Sequence, residues 1–598
     1  MLNNKVLEVT ERLIERSKAS RQAFLQHCEA QRQLGKNRTN LSCGNLAHAT
    51  AASCEQDKAQ FLNFTSANVA IITSYNDMVS AHQPYQCYPD KIKQSLAHSG
   101  HTAQVAGGVP AMCDGVTQGQ VGMDLSLFSR DLIAQSTALS LSHNVYDASL
   151  LLGVCDKIAP GLLMGALSYA HLPTAFVPSG LMATGISNDE KVTVRQQFAA
   201  KTVGKQALLD MECQSYHSSG TCTFYGTANT NQLVFEAMGL MLPGSAFVHP
   251  NSELREKLTT EASIQIASRT IDSPKYRPLY QVVTEKTLIN GIVALLSSGG
   301  STNHTIHMVA LARSAGIDLK WDDINALSEV VPLLVNVYPN GSMDMNAFQN
   351  AGSVPALLHR LNEQNLLHTD VVTAFGSFES QLNSPKIEDD QLVWHPTTGS
   401  LDHNVIAASG QCYRATGGLK LLSGNLGRGV VKVSAVDTQY HQIEAPARVF
   451  TSQHDVEKAY QNGELNQDCV VVVSHNGPAA NGMPELHKLM PILGNLQKAG
   501  YKVALVTDGR LSGASGKVPS VIHLSPEATR GGAIGLIRDG DKIRIDCTTG
   551  LIEALVDIEQ RESQYVDLTP QQTTWGRQLF DCARQNVSSA EEGASFIV

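Results

Sequence analysis

The segment Ser149–Val154 reads Ser-Leu-Leu-Leu-Gly-Val, is followed at once by Cys155-Asp156-Lys157, and reaches Pro160 soon after. A short apolar run without polar alternation is the pattern of a strand buried on both faces, and such strands belong to parallel sheets covered by helices. Proline suits the first turn of a helix, where its missing N–H leaves no bond unmade. The neighbouring segments repeat the scheme. Thr102–Val109 reads as a strand and Pro110–Gly122 as the loop after it. A helix then carries Leu125, Phe128, Leu132, Ile133 and Leu139 on one face, and Thr174–Val177 reads as another strand. This alternation predicts an α/β domain with a mainly parallel sheet.

Residues 158–188 contain no Asp, Glu, Lys or Arg. Pro160, Pro173 and Pro178 divide the stretch, so it reads as buried strand and helix pieces and not as a membrane span. At the N-terminus Val6, Val9, Leu13 and Ile14 form an apolar stripe at helical spacing, an amphipathic helix rather than a signal peptide. The 598 residues are 42% hydrophobic and 17% charged, a globular composition with room for two or more domains. Basic residues number 45 against 55 acidic ones, and no basic block stands out, which argues against a nucleic-acid partner. The 12 cysteines are scattered, without a CxxC pair. This spacing gives neither a zinc ribbon nor a disulfide framework, and the expected compartment is the reducing cytoplasm.

A polar, pattern-poor segment, 376–404, marks the expected boundary between an N-terminal domain (1–390) and a C-terminal one (391–598). Beyond it β-rich runs dominate: Val430–Val436, Cys469–Val473, Val503–Thr507, Ile534–Ile537, Lys542–Ile545 and Leu551–Val556. The second domain is expected to be a β-rich barrel or sandwich with a few helices.

In parallel α/β sheets, ligands bind beyond the carboxyl ends of strands. Reading only those positions selects Met112-Cys113-Asp114-Gly115, Cys155-Asp156-Lys157, the Gly/Asn/Pro loop leading to Glu485, and Asp508-Gly509-Arg510-Leu511-Ser512-Gly513. Thr221-Cys222-Thr223 adds a thiol in a Gly/Ser/Thr-rich stretch. Any one of these cysteines can be a small buried hydrophobe; three together can ligate an iron–sulfur cluster with one iron open. Asp114, Asp156 and Glu485 can hold a hard divalent cation such as Mg2+ or Mn2+, while Asp114 and Asp156 can equally cap the helices that follow. Gly299–Asn303 precedes a helix at Thr305–Ser314, a start that favours an anion. Ser423–Arg428 offers small residues and a guanidinium, or an ordinary turn. His304 and His307 share a helix face and read as a packed or solvent-facing pair.

Taken together, these residues resemble the iron–sulfur dehydratases that include dihydroxy-acid dehydratase and 6-phosphogluconate dehydratase. The landmarks stand in order along nearly the whole chain: SYNDMVSAHQPY (74–85), MCDGVTQGQ (112–120), GVCDKIAPG (153–161), GTCTFYGTANTN (220–231), GGSTNHT (299–305), SGNLGR (423–428), NGMPELHKLMP (481–491) and TDGRLSGASGKVPS (507–520). SAHQPY, TCTFYGTANTN, NGMPELHKLMP and SGASGKVPS are similar to the 6-phosphogluconate branch in particular. In the dihydroxy-acid branch a cysteine often stands where this chain has Ala81, and Asp-Asp-Gly where it has Cys113-Asp114-Gly115. The resemblance thus implies a cluster, 4Fe-4S in the phosphosugar branch, held by Cys155 and Cys222, with Cys113 inferred as the third thiolate.

The resemblance further implies a hydro-lyase that dehydrates 6-phospho-D-gluconate to 2-dehydro-3-deoxy-6-phospho-D-gluconate. The alternative is a dehydratase of another sugar acid or of a dihydroxy acid. Asp114, Asp156 and Glu485 match the cation ligands or their neighbours. Lys157 matches a position that can be a carboxylated lysine, and Ser512 matches the serine proposed as base. Without that match, Ser512 reads as a turn residue. His82, Ser301, Thr302, Asn303, Arg428, Arg510 and Lys517 are the candidates for binding the substrate's carboxylate and phosphate. The family is typically homodimeric, with a swivelling β/β/α C-terminal domain and the site in the cleft between the two domains.

Overall fold

The structure, a computed structural model, describes residues 1–598 apart from 514, 564, 574 and 575 and the side chains of 570 and 571. Four short strands, β1 (Asn68–Thr73), β2 (Thr102–Gly108), β3 (Ala148–Leu152) and β4 (Thr174–Phe176), form a parallel sheet in the order β2-β1-β3-β4. Every residue of β3 is buried, which is why its sequence shows no polar alternation. The helices that matter below are α1 (Asn4–Gln33), α2 (Ser126–Leu141), α3 (Ile158–Leu167), α4 (Thr227–Ala237), α5 (Glu285–Ser297) and α6 (His304–Ser314). Helices α3, α4 and α5 are buried on nearly all sides. The uncharged stretch 158–188 is therefore α3 and β4 in the core, and no helix is long and apolar enough to cross a membrane.

The second sheet is a closed eight-stranded barrel, a mixed parallel and antiparallel one. A two-stranded hairpin, β5 (Asn383–Glu388) and β6 (Gln391–Pro396), precedes it. The barrel strands are β7 (Leu419–Gly424), β8 (Gly427–Lys432), β9 (Gln442–Phe450), β10 (Cys469–Val473), β11 (Val503–Thr507), β12 (Ser520–Ser525), β13 (Lys542–Asp546) and β14 (Leu551–Ala554). Their order is β10-β11-β12-β8-β7-β14-β13-β9, closed by β9 on β10. Strand β10 shows how the barrel is filled. Val470 and Val472 join the interior with Ala504, Val506 and Ile543. Cys469, Val471 and Val473 face outward onto the helix Leu489–Lys498 through Leu489, Leu493 and Leu496. Two apolar faces give an unbroken apolar run.

Several expectations from sequence need correction. Ile534–Ile537 is not a strand but adjoins a 3-10 turn, Ala533–Leu536, with Ile534 and Ile537 both buried in the barrel core. The run beginning at Val430 starts earlier and ends at Lys432. The segment 376–404, read as pattern-poor, contains the β5–β6 hairpin, whose strands are half-buried and so lack a clear alternation. On α2, Phe128 and Ile133 are buried as expected, but Leu139 is 70% exposed and Leu132 is exposed too. Ile14 on α1 is likewise turned to solvent, while Val6, Val9 and Leu13 are buried.

The C-terminal segment crosses back onto the first half of the chain. Arg130 and Asp131 on α2 are buried side by side. The Arg130 guanidinium donates to the carbonyls of Gly593 (3.0 Å) and Ala594 (2.8 Å). Asp131 accepts from the Ser595 hydroxyl and the Phe596 amide, both at 2.8 Å. Phe596 also packs edge-on against Phe128.

Candidate active site

The loops at the carboxyl ends of β2 and β3 lie side by side because their strands flank β1. Cys113 and Asp114 stand on the first loop. Cys155, Asp156 and Lys157 stand on the second, where Cys155 takes a left-handed backbone conformation (φ 73°). That conformation is uncommon for a residue with a Cβ and marks a sharply turned loop. His82, fully buried, sets Nε2 3.1 Å from the Val154 carbonyl oxygen, just before Cys155.

Helix α4 ties the thiol loops together from below. Asn231 donates to the carbonyls of Cys155 (2.9 Å) and Asp156 (3.0 Å), and Asn229 donates to those of Cys222 (2.7 Å) and Phe224 (2.8 Å). His304 at the start of α6 bonds Asn231 Oδ1 at 2.9 Å. Burial pushes the Cys155 thiol well above its ordinary value, and Cys113 and Cys222 add to the rise. Burial likewise pushes Cys222 up to about 12, with Cys113 again contributing, and raises Cys113. The three thiols are thus within electrostatic reach of one another, in surroundings that disfavour three bare thiolates. A metal reverses that balance, since a coordinating thiol is deprotonated outright. The donor set fits an iron–sulfur group.

Beside the thiols, one carboxylate oxygen each from Asp114, Asp156 and Glu485 lie within 4.8 Å of one another. Glu485 comes from the loop after β10, and a backbone bridge pairs it with Arg510 from the loop after β11. Arg510 spans the junction between the two halves. It meets Asp114 at 2.9 Å and Glu485 at 3.3 Å, and donates to the Met483 carbonyl at 2.8 Å. Gln118 donates to Glu485 at 2.8 Å from the opposite side. Lys157 pairs with Asp114, and with Asp156 at 3.4 Å. Burial works to raise the Asp114 carboxyl, yet Lys157 and Arg510 hold it well below the usual carboxylate range. Burial outweighs Lys157 at Asp156, which is raised, and pushes Glu485 up to about 7 against the pull of Arg510. Asp114 and Asp156 are not helix caps: no side-chain cap is made at either helix start. The three carboxylate oxygens make a donor set that fits a hard divalent ion, which would take over charge balance now supplied by Lys157 and Arg510.

Ser512 is half-buried on the loop after β11. Asn303 holds that loop by donating to the Leu511 carbonyl at 3.1 Å. A Cβ on Gly513 would lie 2.5 Å from Thr227 Oγ1 and 2.6 Å from Ser301 Oγ, so only glycine allows this approach. The Ser301 and Thr227 hydroxyls are themselves bonded at 2.8 Å, and Thr302 is buried beside them. Three other candidates are engaged elsewhere. His82 serves the Val154 backbone. Arg428, the second residue of β8, pairs with Asp322 (2.7 Å) and Glu591 (3.3 Å). Lys517 is exposed and sits over the Tyr338 ring, 5.4 Å from its centroid. His304 and His307 pack edge to face and are fully buried, which lowers both rings' basicity. The 507–520 motif includes Ala514, which lies outside the described residues.

Two family models, the dihydroxy-acid/6-phosphogluconate dehydratase N-terminal and C-terminal segments, match residues 66–381 and 404–594. The chain belongs to the dihydroxy-acid/6-phosphogluconate dehydratase family. It is 54% identical to a phosphogluconate dehydratase of Escherichia coli (strain K12), covering 100% of both chains. A phosphogluconate dehydratase of Zymomonas mobilis is 52% identical, over 99% of this chain and 98% of the relative. A dihydroxy-acid dehydratase of Ignicoccus hospitalis is 31% identical, over 88% of this chain and 94% of the relative. Within this dehydratase family member, the residues that sequence reasoning missed are Asn229, Asn231 and Gln118. All three lie inside landmark segments, GTANTN and MCDGVTQGQ. Their amides answer backbone carbonyls and a carboxylate from distant segments, which no local spacing reveals.

Proposed function

We propose that this chain dehydrates 6-phospho-D-gluconate to 2-dehydro-3-deoxy-6-phospho-D-gluconate, with a cluster on Cys113, Cys155 and Cys222 and a divalent cation on Asp114, Asp156 and Glu485. The observation that carries the reading is the convergence of three thiols and three carboxylates from both halves of a chain matched end to end by phosphogluconate dehydratases. The lower identity to a dihydroxy-acid dehydratase supports the phosphosugar branch.

The reaction removes the proton from carbon 2 and hydroxide from carbon 3. Bound in these places, the cluster would supply a Lewis acid for the carbon-3 hydroxyl, and the cation positive charge for the carboxylate end. Ser512 takes the carbon-2 proton on its oxygen, and the tight Gly513 loop against Thr227 and Ser301 holds that oxygen in place. A serine is a weak base unless positive charge stabilises its alkoxide, and Asp114, Asp156 and Glu485, holding a divalent cation, would bring such charge to this junction. The enol left by loss of water then takes a proton at carbon 3 to give the ketone. The protein is read as a cytoplasmic homodimer of two-domain chains; the gap between the two matched segments, 381 to 404, supports a division in the region expected from sequence, although the β5–β6 hairpin spans residue 390 itself.

Anaerobic purification, iron and sulfide analysis, and a keto-acid assay with 6-phosphogluconate, gluconate and a dihydroxy acid test the reading together. Iron with sulfide and a clear preference for the phosphorylated acid are expected. Turnover of gluconate as fast as of its phosphate ester would defeat the substrate assignment. Cys113→Ser should lose iron and activity, and unchanged iron content would return Cys113 to a structural role. Ser512→Ala should keep the iron and lower kcat by about 100-fold or more.

A further inference from the structure

We propose that Lys432 binds the phosphate group of the substrate at the seam between the barrel and the first half of the chain, an inference that rests on the phosphorylated sugar acid reading above. Lys432 closes β8. Register with β7 is regular from Gly424 opposite Gly427 to Leu419 opposite Lys432. Side chains therefore alternate along β8. Val431 enters the barrel interior, while Val430 joins the core of the first half. Lys432 shares the Val430 face and is only 5% exposed.

Among the described residues its ammonium has no hydrogen-bond partner. The other buried lysines all have one. Lys36 pairs with Asp272 at 2.8 Å, Lys157 with Asp114 and Asp156, and Lys191 donates to Thr223 at 3.2 Å. A buried, unpaired charge is costly and calls for a counter-charge. Burial holds the Lys432 ammonium down at about 7, and no carboxylate among the described residues pairs with it.

The surroundings are those of an anion site. A Cβ on Gly516 would lie 3.1 Å from Lys432 Cδ, so the lysine stem runs beside the loop that carries Ser512. On another side lies His304, the first residue of α6, close enough for Lys432 to disfavour its protonation. The start of an eleven-residue helix adds further positive potential. The Ser434 hydroxyl, two residues beyond Lys432 along the chain, is also buried without a partner among the described residues and can donate to an anion. Arg510 and Lys157 are already bound to the carboxylate triad, where the acid end of the substrate would go with its cation. Lys432 is left for the other charged end, and a dianion supplies the missing counter-charge.

The test uses the full chain with inorganic phosphate as probe, read by calorimetry and by thermal unfolding, with gluconate as the unphosphorylated control. Lys432→Met and Lys432→Gln are compared with the wild type. Phosphate should stabilise the wild type, and its affinity should fall about 10- to 100-fold in both variants. The KM for 6-phosphogluconate should rise by a similar factor, while gluconate binding stays as it was. Without phosphate, Lys432→Met should unfold no earlier than the wild type. Equal phosphate affinity in variant and wild type would overturn the proposal, as would a loss confined to gluconate. If 6-phosphogluconate is not turned over by the wild type, yet phosphate affinity still depends on Lys432, the substrate reading fails and the oxyanion site remains.

Discussion

Asn231 holds two successive carbonyls of the Cys155–Lys157 loop with one amide, and its own oxygen is held by His304. Removing it leaves the Cys155 and Asp156 carbonyls buried and unpaired. Asn231→Ala should cost about 1–3 kcal/mol and loosen the thiol loop. Thermal unfolding and the iron retained after anaerobic gel filtration would check both effects. Glu527 acts on the opposite wall. It accepts from the Ala479 and Ala480 amides at 3.0–3.1 Å, at the head of the loop that leads to Glu485. Burial, with help from Asp508, pushes its carboxyl from 4.5 up to about 7. A raised carboxyl favours the folded state below its unfolded value and loses that contribution as pH rises through the folded one. The Glu527 contribution should therefore fall between about pH 4.5 and 7, opposing the buried histidines, whose lowered basicity makes stability rise over the same range, and Glu527→Gln should remove that downward slope, on the order of 2–3 kcal/mol across the window. Glu236, also raised to about 7, retains part of the slope. Urea titrations at several pH values would measure it.

At the scale of elements, α2 and α3 touch backbone to backbone. A Cβ on Gly161 would lie 2.4 Å from the Arg130 carbonyl oxygen, and one on Gly165 equally close to that of Ala134. Gly161→Ala should push α3 away from α2, lower stability by about 1–3 kcal/mol, and disturb Cys155–Lys157 at the head of α3. Unfolding midpoint and iron content would fall together. The strands buried on both faces, β3, β10 and β11, were legible because burial on two sides leaves an apolar run with clear ends. The 3-10 turn at Ala533–Leu536 was not, although Ile534 and Ile537 stand three apart, the period of that turn rather than of a strand. The β5–β6 hairpin was hidden because neither strand has a fully buried face. In the site, the residues at strand ends could be found by position alone. The buried position of Lys432, the proposed phosphate ligand, could not, since a lone lysine closing a β-run looks like a solvent-facing position until the other half of the chain covers it.

For the whole molecule, the two halves are joined through charge as well as through apolar contact. Arg510 reaches Asp114, Arg428 reaches Asp322, and the returning C-terminal segment covers Arg130 and Asp131. Deleting residues 588–598 should uncover that buried pair and the Phe128 ring, at a cost on the order of 3 kcal/mol or more. The unfolding midpoint should drop by several degrees. Differential scanning calorimetry of the shortened chain would show it, and an unchanged midpoint would deny the segment any structural weight. The same crossing bears on biogenesis. Residues 593–596 are translated after Arg130 and Asp131, so α2, although made early, stays unsealed on this side until they follow. A nascent chain stalled short of this point would carry an open arginine–aspartate pair.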